Sequence, residues 1–373
     1  MHCDRRRPVK RLLFLSLLLL AHNVSVLAWM QVSKDGTDFV DRNTKERFFV
    51  LGFNYDHDRE GRLIEEYWQD EWPTVVEDFK EMKKLGANVV RIHLQVGEFM
   101  VSPQEANSAS LAQLKKLVHL AESMELYLDI TGLGCYHKEE IPVWYSEMKE
   151  KARWKVQANF WEAIAKVCAN SPAVFCYDLM NEPILPGPKK KETEWLAGEF
   201  GGKHFVQRIA LDLQGRSRTQ VAKKWVDTLV QAIGKNDENH MITVGVIPWA
   251  LHFYPHAQKP IFYSPKVSQN LDFTSVHFYP QKGKINQALK ALAVYDIGKP
   301  LVIEEIFPLK CGIKELNLFI DSSTKMADGW IGFYWGKTIE EYSKEEDPDL
   351  AATITKKWLQ FFKQKTRAIL GEI

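Results

Sequence analysis

Residues 173–183 read AVFCYDLMNEP, and this stretch decides the fold. Its first part, Ala173 to Met180, is an apolar run that only Asp178 interrupts, and it is too short for a helix of its own. Such a run is typical of a strand that is buried on both faces, as strands of parallel sheets are. Because Asn181-Glu182-Pro183 follows at once, the stretch predicts a parallel strand with a carboxyl group at its end.

Strand-like and helix-like segments alternate on both sides of this stretch, which is the pattern of βα units and a parallel sheet. The predicted strands cover 49–54, 88–94, 126–130, 173–180, 241–247, 271–278, 300–306 and 330–335. Apolar residues at helical spacing fill most of the intervals, but 249–270 shows no clean period, so the fifth helix is the weak unit.

This alternation predicts the α/β class and a (β/α)8 TIM barrel, with a short N-terminal β-hairpin at 30–49 and a long loop after strand 4 at 183–216. An open doubly wound sheet is the alternative. No Gly-x-Gly-x-x-Gly follows the first strand and the sequence contains no P-loop. The motifs that would indicate nucleotide binding are therefore missing.

The composition is that of an ordinary globular protein, with 45% hydrophobic and 26% charged residues and 49 basic against 48 acidic side chains. It excludes a disordered, collagen-like or coiled-coil chain. The balanced charge offers nothing to neutralise a run of phosphates, so we expect no nucleic-acid partner. Since no Ser/Gly-rich or Pro-rich linker divides the chain, we expect one domain over 29–373 and a monomer.

The first 28 residues have the pattern of a secretory signal peptide: a basic stretch at 5–11, a short apolar run at 12–20 and Val26-Leu27-Ala28 as a cleavage site. We therefore expect a secreted or periplasmic protein with no stable membrane span after cleavage. An uncleaved membrane anchor is the alternative.

Metal and cofactor sites are not indicated. Four cysteines follow the predicted signal peptide, at 135, 168, 176 and 311, and none has C-x-x-C spacing. Disulfide pairing and buried thiols both stay open for them. His252 and His256 are four residues apart, but they lie in a poorly helical segment, so we expect no metal and no cofactor.

Acidic residues stand at the ends of two predicted strands: Glu182 after the fourth, and Glu304-Glu305 at the seventh. In a barrel, residues at the carboxyl ends of the strands meet at one mouth. Two carboxyl groups that face each other across a cleft suit glycosidic bond cleavage, where one protonates the leaving oxygen and the other attacks or stabilises the oxocarbenium-like centre.

Tyr177 to Pro183 resembles the acid/base strand of glycoside hydrolase family 5 and its clan A relatives, the retaining barrel glycosidases, which include cellulases and mannanases. The resemblance extends over nearly the whole chain after the signal peptide, and its other motifs are Gly52-Phe53-Asn54, Asn88-Val89-Val90-Arg91, His277-Phe278-Tyr279, Glu305 and Trp335.

The resemblance implies a role for each matching residue. Glu182 would be the general acid/base, Glu305 the nucleophile, and Asn181 the group that hydrogen-bonds the sugar 2-hydroxyl. Arg91 and Tyr279 would hold the nucleophile ionised and oriented, His277 would lie near it, and Trp335 would form the aromatic floor under the reacting sugar.

Two choices follow from strand geometry. Adjacent strand residues point to opposite faces, so only one of Glu304 and Glu305 enters the cleft. Geometry does not say which one, but in the family resembled here the second acid of a Glu-Glu doublet is the nucleophile, so we assign Glu305, although Ile306-Phe307 follows it where the family has Phe-Gly. Glu199-Phe200-Gly201 matches that ending better, but it lies too soon after Glu182 for three βα units and belongs to the long loop, whose Trp195 is a candidate substrate contact.

A further departure concerns strand three, where the family has Asp-x-His and this chain has Asp129-Ile130-Thr131. His137 is close enough in sequence to replace that histidine. The sequence thus favours a secreted, metal-independent retaining β-glycosidase acting on a β-linked glucan or mannan, with endo or exo action open. A non-catalytic carbohydrate-binding protein on the same scaffold is the alternative.

Overall fold

The computed structural model describes residues 27–371, and these residues form a closed parallel barrel. The signal peptide predicted for 1–28 lies almost wholly outside this range. The barrel strands are β1 (Val50–Tyr55), β2 (Val89–Gln95), β3 (Tyr127–Gly134), β4 (Val174–Asp178), β5 (Met241–Thr243 and Gly245–Val246), β6 (Thr274–His277), β7 (Leu301–Glu305) and β8 (Gly329–Phe333).

The barrel closes through its fifth strand, which is interrupted at Val244. The first piece of β5 pairs with β4 and the second pairs with β6, while β8 pairs with β1. Every pair around the barrel is parallel. The (β/α)8 prediction is therefore confirmed, and the doubly wound alternative is excluded.

The long helices between the strands are α1 (Trp72–Lys84), α2 (Ser108–Ser123), α3 (Glu150–Cys168), α4 (Arg218–Ile233), α5 (Ile285–Leu292), α6 (Ile313–Ser323) and α7 (Leu350–Leu370). Shorter helical segments are Ile64–Tyr67, Val96–Phe99, Lys138–Glu140, Val143–Ser146, Trp249–His252, Ser268–Asn270 and Ile339–Ser343. The unit after β5 holds only two of these short segments, as the missing period at 249–270 predicts.

Local sequence sets the ends of the helices. Ser217 begins α4 with a capping box, since its Oγ accepts from Gln220 N at 3.1 Å and its own N donates to Gln220 Oε1 at 2.6 Å. Asp349 caps α7, which ends at Gly371 in the left-handed region with φ +75°. The ring of Trp358 on α7 packs so closely on β8 that a Cβ at Gly332 would overlap it.

The N-terminal segment covers the amino ends of the barrel strands. The sequence predicts a hairpin here, but Met30–Val32, Phe39–Asp41 and Arg47–Phe48 form a three-stranded antiparallel sheet. Phe39 is completely buried, and its ring lies 5.1 Å from the rings of both Phe175 and Phe273. This apolar plug leaves the opposite end of the barrel as the open one.

The predicted loop after β4 has a structure of its own. Pro183–Ile184, Leu196–Ala197 and Val206–Arg208 form a small sheet in which the last strand is central. Between the antiparallel strands Leu196–Ala197 and Val206–Arg208, Phe200 and Lys203 make an isolated bridge at the tip of a hairpin.

The state of the four cysteines after the predicted signal peptide is visible in the described residues. All four are buried and free, namely Cys135, Cys168, Cys176 and Cys311. Of the two possibilities left open by the sequence, disulfides or buried thiols, the structure therefore shows buried thiols. Within 27–371, no helix combines the length and the apolar character that a membrane crossing needs.

Candidate active site

A cleft of about 500 Å³ opens at the carboxyl ends of the barrel strands. Its lining includes five of the seven site residues selected from sequence, namely Asn181, Glu182, Tyr279, Glu305 and Trp335. Arg91 and His277 lie beneath them, completely buried in the barrel. The structure thus brings together the whole set of residues that the strand-end pattern and the resemblance select.

Glu182 is turned into the cleft by an unusual backbone conformation. Its φ is +47°, in the left-handed region that residues other than glycine rarely occupy. Its N–H donates to Gly245 O at 3.0 Å, which ties the turn to β5. Backbone strain of this kind collects at functional sites, where the surrounding structure holds it in place.

Glu305 is held by three side chains at the end of β7. Tyr279 Oη donates to its Oε2 at 2.6 Å, and Arg91 Nη1 donates to its Oε1 at 3.1 Å. His277 Nδ1 lies 3.3 Å from the same Oε1. Burial raises the pKa of Glu305, and the cations His277 and Arg91 oppose that rise without reversing it.

His277 stands between the two cleft carboxyl groups. Its Nδ1 lies 2.9 Å from Glu182 Oε1, and one carboxylate oxygen of Glu182 and one of Glu305 lie within 4.8 Å of each other and of the ring. Burial lowers the pKa of His277, but the charge of Glu305, the hydrogen bond to Glu182 and the nearby carboxylate of Glu304 outweigh it and raise the pKa to about 10. The ring is therefore a cation at neutral pH.

A register shift explains how β7 and His277 meet. Val276 is opposite Ile303, but the next residue, His277, is opposite Glu305, so Glu304 is an extra residue on β7. Bulges of this type re-aim side chains beside active sites. As a result both Glu304 and Glu305 approach His277, Glu305 from the cleft and Glu304 from the barrel interior.

Arg91 organises the floor of the site. Its Nη1 also donates to Asn54 Oδ1 at 2.8 Å, and its Nη2 donates to Asp178 Oδ2 at 2.8 Å and to Asn181 Oδ1 at 2.9 Å. Since Asn181 accepts from Arg91 through its oxygen, its amide nitrogen is oriented as well, and it donates to Phe205 O at 3.1 Å. A buried, permanently charged guanidinium thus fixes side chains from several strands at once.

Trp335 forms part of an aromatic wall. Its ring is stacked on His57 at 5.7 Å, with 8° between the planes, and on Phe333 at 5.3 Å. Its Nε1 donates to Asp56 Oδ1 at 3.3 Å. The ring is partly exposed on the cleft, where a flat aromatic face can contact the apolar face of a sugar.

The long loop reaches the cleft through its tip rather than through Trp195. Gly198, Glu199, Phe200 and Gly201 line the cleft, and Phe200 is 72% exposed. Trp195 is buried against the short helical segment Val143–Ser146, where its Nε1 donates to Ser146 O at 3.2 Å. The expectation that Trp195 contacts substrate is therefore wrong, because that ring completes the packing of the loop.

Strand three shows what replaces the missing histidine. Thr131 Oγ1 donates to Asp178 Oδ2 at 2.9 Å, beneath the cleft. His137, the replacement suggested by sequence, lies 3.6 Å from Glu66 and does not line the cleft. His93 on β2 occupies the interior instead, with Nδ1 2.5 Å from Tyr136 Oη and Nε2 3.3 Å from Asn54 Oδ1.

His93, Asp56 and His57 were not selected from the sequence, although two signals point to them. His93 is two residues after Arg91 on one strand, and alternation puts both side chains on the same face. Asp56 and His57 follow β1 directly, at the end of the barrel where the cleft opens.

One group of metal-binding residue types is close enough to hold an ion in the described part of the chain, and it consists of Glu182, His277 and Glu305. These are the cleft residues themselves, and the charged imidazole has no free lone pair for a metal. His252 lines the cleft, whereas His256 does not.

A closed (β/α)8 barrel whose open end holds two facing carboxyl groups has the arrangement that glycoside hydrolysis requires. The chain matches the family described as Cellulase (glycosyl hydrolase family 5) over residues 57–373. The match covers most of the chain, and the chain belongs to glycoside hydrolase family 5.

Curated relatives are distant. The chain is 21% identical over 305 residues to Mannan endo-1,4-β-mannosidase A of Hypocrea jecorina, a match that covers 78% of this chain and 62% of the relative. It is 23% identical over 174 residues to Mannan endo-1,4-β-mannosidase A of Podospora anserina, covering 43% of this chain and 38% of the relative. The matches thus span less than two thirds of either relative.

Solved structures share the fold. An exo-β-1,4-mannosidase from Opitutaceae bacterium strain TAV5 has a TM-score of 0.66 at 16% identity, covering 92% of this chain and 63% of that one. The β-mannanase of the blue mussel Mytilus edulis has a TM-score of 0.60 at 15% identity, covering 91% and 97%. The catalytic domain of a Thermobifida fusca endoglucanase has a TM-score of 0.57 at 15% identity, covering 91% and 98%.

Proposed function

We propose that the chain is a secreted, monomeric β-glycosidase that hydrolyses a β-linked mannan or glucan with retention of anomeric configuration. The observation that carries the proposal is the approach of Glu182 and Glu305, whose nearest carboxylate oxygens lie within 4.8 Å. Retaining enzymes hold the two groups about 5–5.5 Å apart, whereas inverting enzymes need about 6.5–9.5 Å to admit a water molecule. Secretion rests on the signal-peptide pattern of residues 1–28.

In the first step, Glu305 attacks the anomeric carbon while Glu182 gives its proton to the departing glycosidic oxygen. The carbon–oxygen bond to the leaving group breaks, and an ester bond forms between the sugar and Glu305. In the second step, Glu182 takes a proton from water as that water attacks the anomeric carbon, and the ester bond to Glu305 breaks. Both carboxyl groups then return to their starting states.

The neighbouring groups suit these roles. Tyr279 and Arg91 each hydrogen-bond one oxygen of Glu305, which fixes the attacking group in one orientation. His277 contacts both carboxyl groups, so its positive charge favours the state in which one is ionised. Trp335 offers a flat apolar face for the reacting sugar, and Asn181 is oriented by Arg91 for contact with a hydroxyl group.

Mannan is the first polymer to test. Both curated relatives reported above carry the name of a mannan endo-1,4-β-mannosidase, and the structural neighbours include mannanases, an exo-mannosidase and an endoglucanase. Mannan and glucan differ at the 2-hydroxyl, the position that Asn181 would contact in this family. The length distribution of the products then distinguishes endo from exo action.

The deciding experiment measures sugar release by the purified chain from β-mannans, β-glucans and aryl β-glycosides. We expect Glu305→Ala to abolish turnover and Glu182→Ala to lower it by about 10²–10⁴-fold on polysaccharide. Glu182→Ala should lose less on an aryl glycoside with an acidic phenol, because that leaving group needs little protonation. Glu194→Ala, an exposed acid of the same loop outside the cleft, is the matched control.

Proton NMR of the first product formed tests retention. The β anomer should appear first, and azide should restore turnover of Glu182→Ala by attacking the glycosyl-enzyme without a general base. Initial release of the α anomer, or full activity of Glu305→Ala, contradicts the mechanism. Sugar binding with no turnover on any substrate would favour a non-catalytic carbohydrate-binding protein.

A further inference from the structure

Glu304 is a buried acid that the proposed mechanism does not use. It lies at the extra position of β7, its side chain is completely buried, and it does not line the cleft. No N–H or hydroxyl group of the described residues donates a hydrogen bond to either carboxylate oxygen. A buried carboxylate without donors is costly unless opposite charges compensate it, so its neighbours should explain its presence.

Two cations face this carboxyl group. Glu304 Oε2 lies 3.6 Å from His277 Nε2 and 3.7 Å from Arg91 Nη2. The space for this contact exists because position 245 is glycine: a Cβ there would lie 2.5 Å from Glu304 Oε2, 2.7 Å from His277 Nε2 and 3.2 Å from Arg91 Nη2. His277 is therefore enclosed by carboxyl groups on both nitrogens, with Glu182 and Glu305 at Nδ1 and Glu304 at Nε2.

Asp129 on β3 is the second acid of this interior: it is 1% exposed and lies opposite Arg91 in the register of β2 and β3. It interacts with Glu304 through charge, and through a hydrogen bond when one of the two carries a proton. Asp129 has no cation within 4.0 Å among the described ion pairs, whereas Glu304 faces two. Two adjacent carboxyl groups in a dry interior cannot both ionise at low cost, so the charge belongs on Glu304 and the proton on Asp129.

The pKa directions agree with this geometry. Burial and the charge of Glu304 raise the pKa of Asp129 well above its ordinary range. Burial also disfavours the charged form of Glu304, but Arg91 and His277 outweigh it and lower the pKa of Glu304 to about 2. The other titratable or charged groups facing the pair are Cys176 and Asp178 on β4, Tyr263 before β6, and Glu305.

We propose that Glu304 is a positioning residue, which as the ionised member of the Asp129–Glu304 pair holds His277 as an imidazolium between Glu182 and Glu305. The inference rests on the proposed function for its effect on catalysis, but not for the charge of His277. With a proton on each nitrogen, the ring presents an N–H at Nδ1 to both cleft carboxyl groups. A neutral ring could instead turn a lone pair toward them, which would repel the ionised group.

The test compares Glu304→Gln with Asp129→Asn, two substitutions of similar size in one buried pair. Glu304→Gln removes the charge next to Nε2, whereas Asp129→Asn replaces a neutral acid by a neutral amide. The ¹⁵N shifts of the His277 ring, assigned with a His277→Gln variant, report its charge without substrate. The pH profile of kcat/KM reports the consequence for catalysis.

We expect Glu304→Gln to lower the pH at which His277 loses its proton by about 1–3 units, since a neighbouring opposite charge shifts a buried group by that amount. The alkaline limb of the pH profile should move to lower pH by a similar amount. Glu304→Asp keeps the negative charge, so its His277 titration and pH profile should stay close to those of wild type. Asp129→Asn should leave the charge of His277 and the profile in place.

The proposal is overturned if Glu304→Gln leaves the His277 titration unchanged, or if Asp129→Asn shifts it by as much. Should Glu304→Gln not fold, Asp129→Asn and Glu304→Asp still decide the matter, because loss of the imidazolium in either one contradicts the assignment of the charge. The ring titration needs no turnover, so an inactive wild-type chain would remove the proposed function and leave this inference to be judged by NMR alone.

Discussion

A methyl group on Gly245 would stand 2.5 Å from Glu304 Oε2 and 2.7 Å from His277 Nε2, so this position admits no side chain without movement of the site. We expect Gly245→Ala to lower kcat/KM by about 10²-fold, because a displacement near 1 Å costs that much in an active site. Overpacking should also lower the free energy of unfolding by about 1–3 kcal/mol. Steady-state kinetics and urea unfolding check both effects.

Gly187→Ala is the matched control, since its Cβ would meet only Lys190 Cβ at an ordinary 3.6 Å. Activity and stability should stay close to wild type there. If Gly245→Ala behaved like this control, the tight enclosure of His277 would not be a requirement of the site.

At the residue scale, the sequence predicts the functional residues that lie at the ends of strands. Glu182 and Glu305 follow apolar runs, and the resemblance adds Arg91, Asn181, His277, Tyr279 and Trp335. The sequence does not predict that Asp129 and Glu304 lie close together, because their proximity depends on the register shift between β6 and β7 and on the diameter of the barrel. His137 and Trp195 fail as predictions because proximity in sequence does not specify where a loop side chain packs.

At the element scale, the hairpin tip of the 183–216 loop is an exposed part of the cleft wall. Phe200 is 72% exposed and lines the cleft. We expect Phe200→Ala to raise KM about tenfold on polysaccharide with little change in kcat, because burying a Phe against a ligand contributes about 1.5–3 kcal/mol and the ring touches no reacting group. Michaelis constants for substrates of increasing length check this.

Phe253→Ala provides the comparison, because Phe253 is 49% exposed but does not line the cleft. Its KM should match wild type. Equal effects in the two variants, or no effect in Phe200→Ala, would mean that the hairpin does not contact the sugar chain.

Elements with a clear period were predictable, and elements that depend on distant partners were not. The helices α1 and α4 follow from apolar spacing, and the weak fifth unit follows from its absence. The third strand of the N-terminal sheet, Arg47–Phe48, and the small sheet of the long loop were missed, because two- and three-residue strands carry no alternation to read.

At the scale of the whole molecule, the charge on His277 links stability to pH. Its pKa is about 10 in the folded chain and about 6.5 when unfolded. A raised folded pKa contributes stability that is complete below pH 6.5 and is lost as the pH rises toward 10. We expect His277→Gln to unfold more easily than wild type at pH 7 and the difference to shrink by pH 10.

Urea unfolding at several pH values measures this difference, with His119→Gln on the exposed face of α2 as the control. Curves for wild type and His277→Gln that stay parallel across the range would show that the ring is not charged in the folded chain.

The architecture itself was the most predictable level, because eight apolar runs separated by helical segments leave few ways to bury every strand. Closure of the ring through an interrupted fifth strand was not predicted, since 241–247 was interpreted as one continuous strand.

The four buried thiols described above, Cys135, Cys168, Cys176 and Cys311, are natural probes of the rates at which parts of the chain open. They lie after β3, at the end of α3, within β4 and just before α6. Each residue is at most 9% exposed, so we expect a maleimide to react with each thiol faster when that part of the chain opens. Following alkylation of each cysteine by peptide mass spectrometry would time the opening of separate sectors without any introduced label. Since these thiols are free, a reducing agent can stay in the buffer throughout the purification.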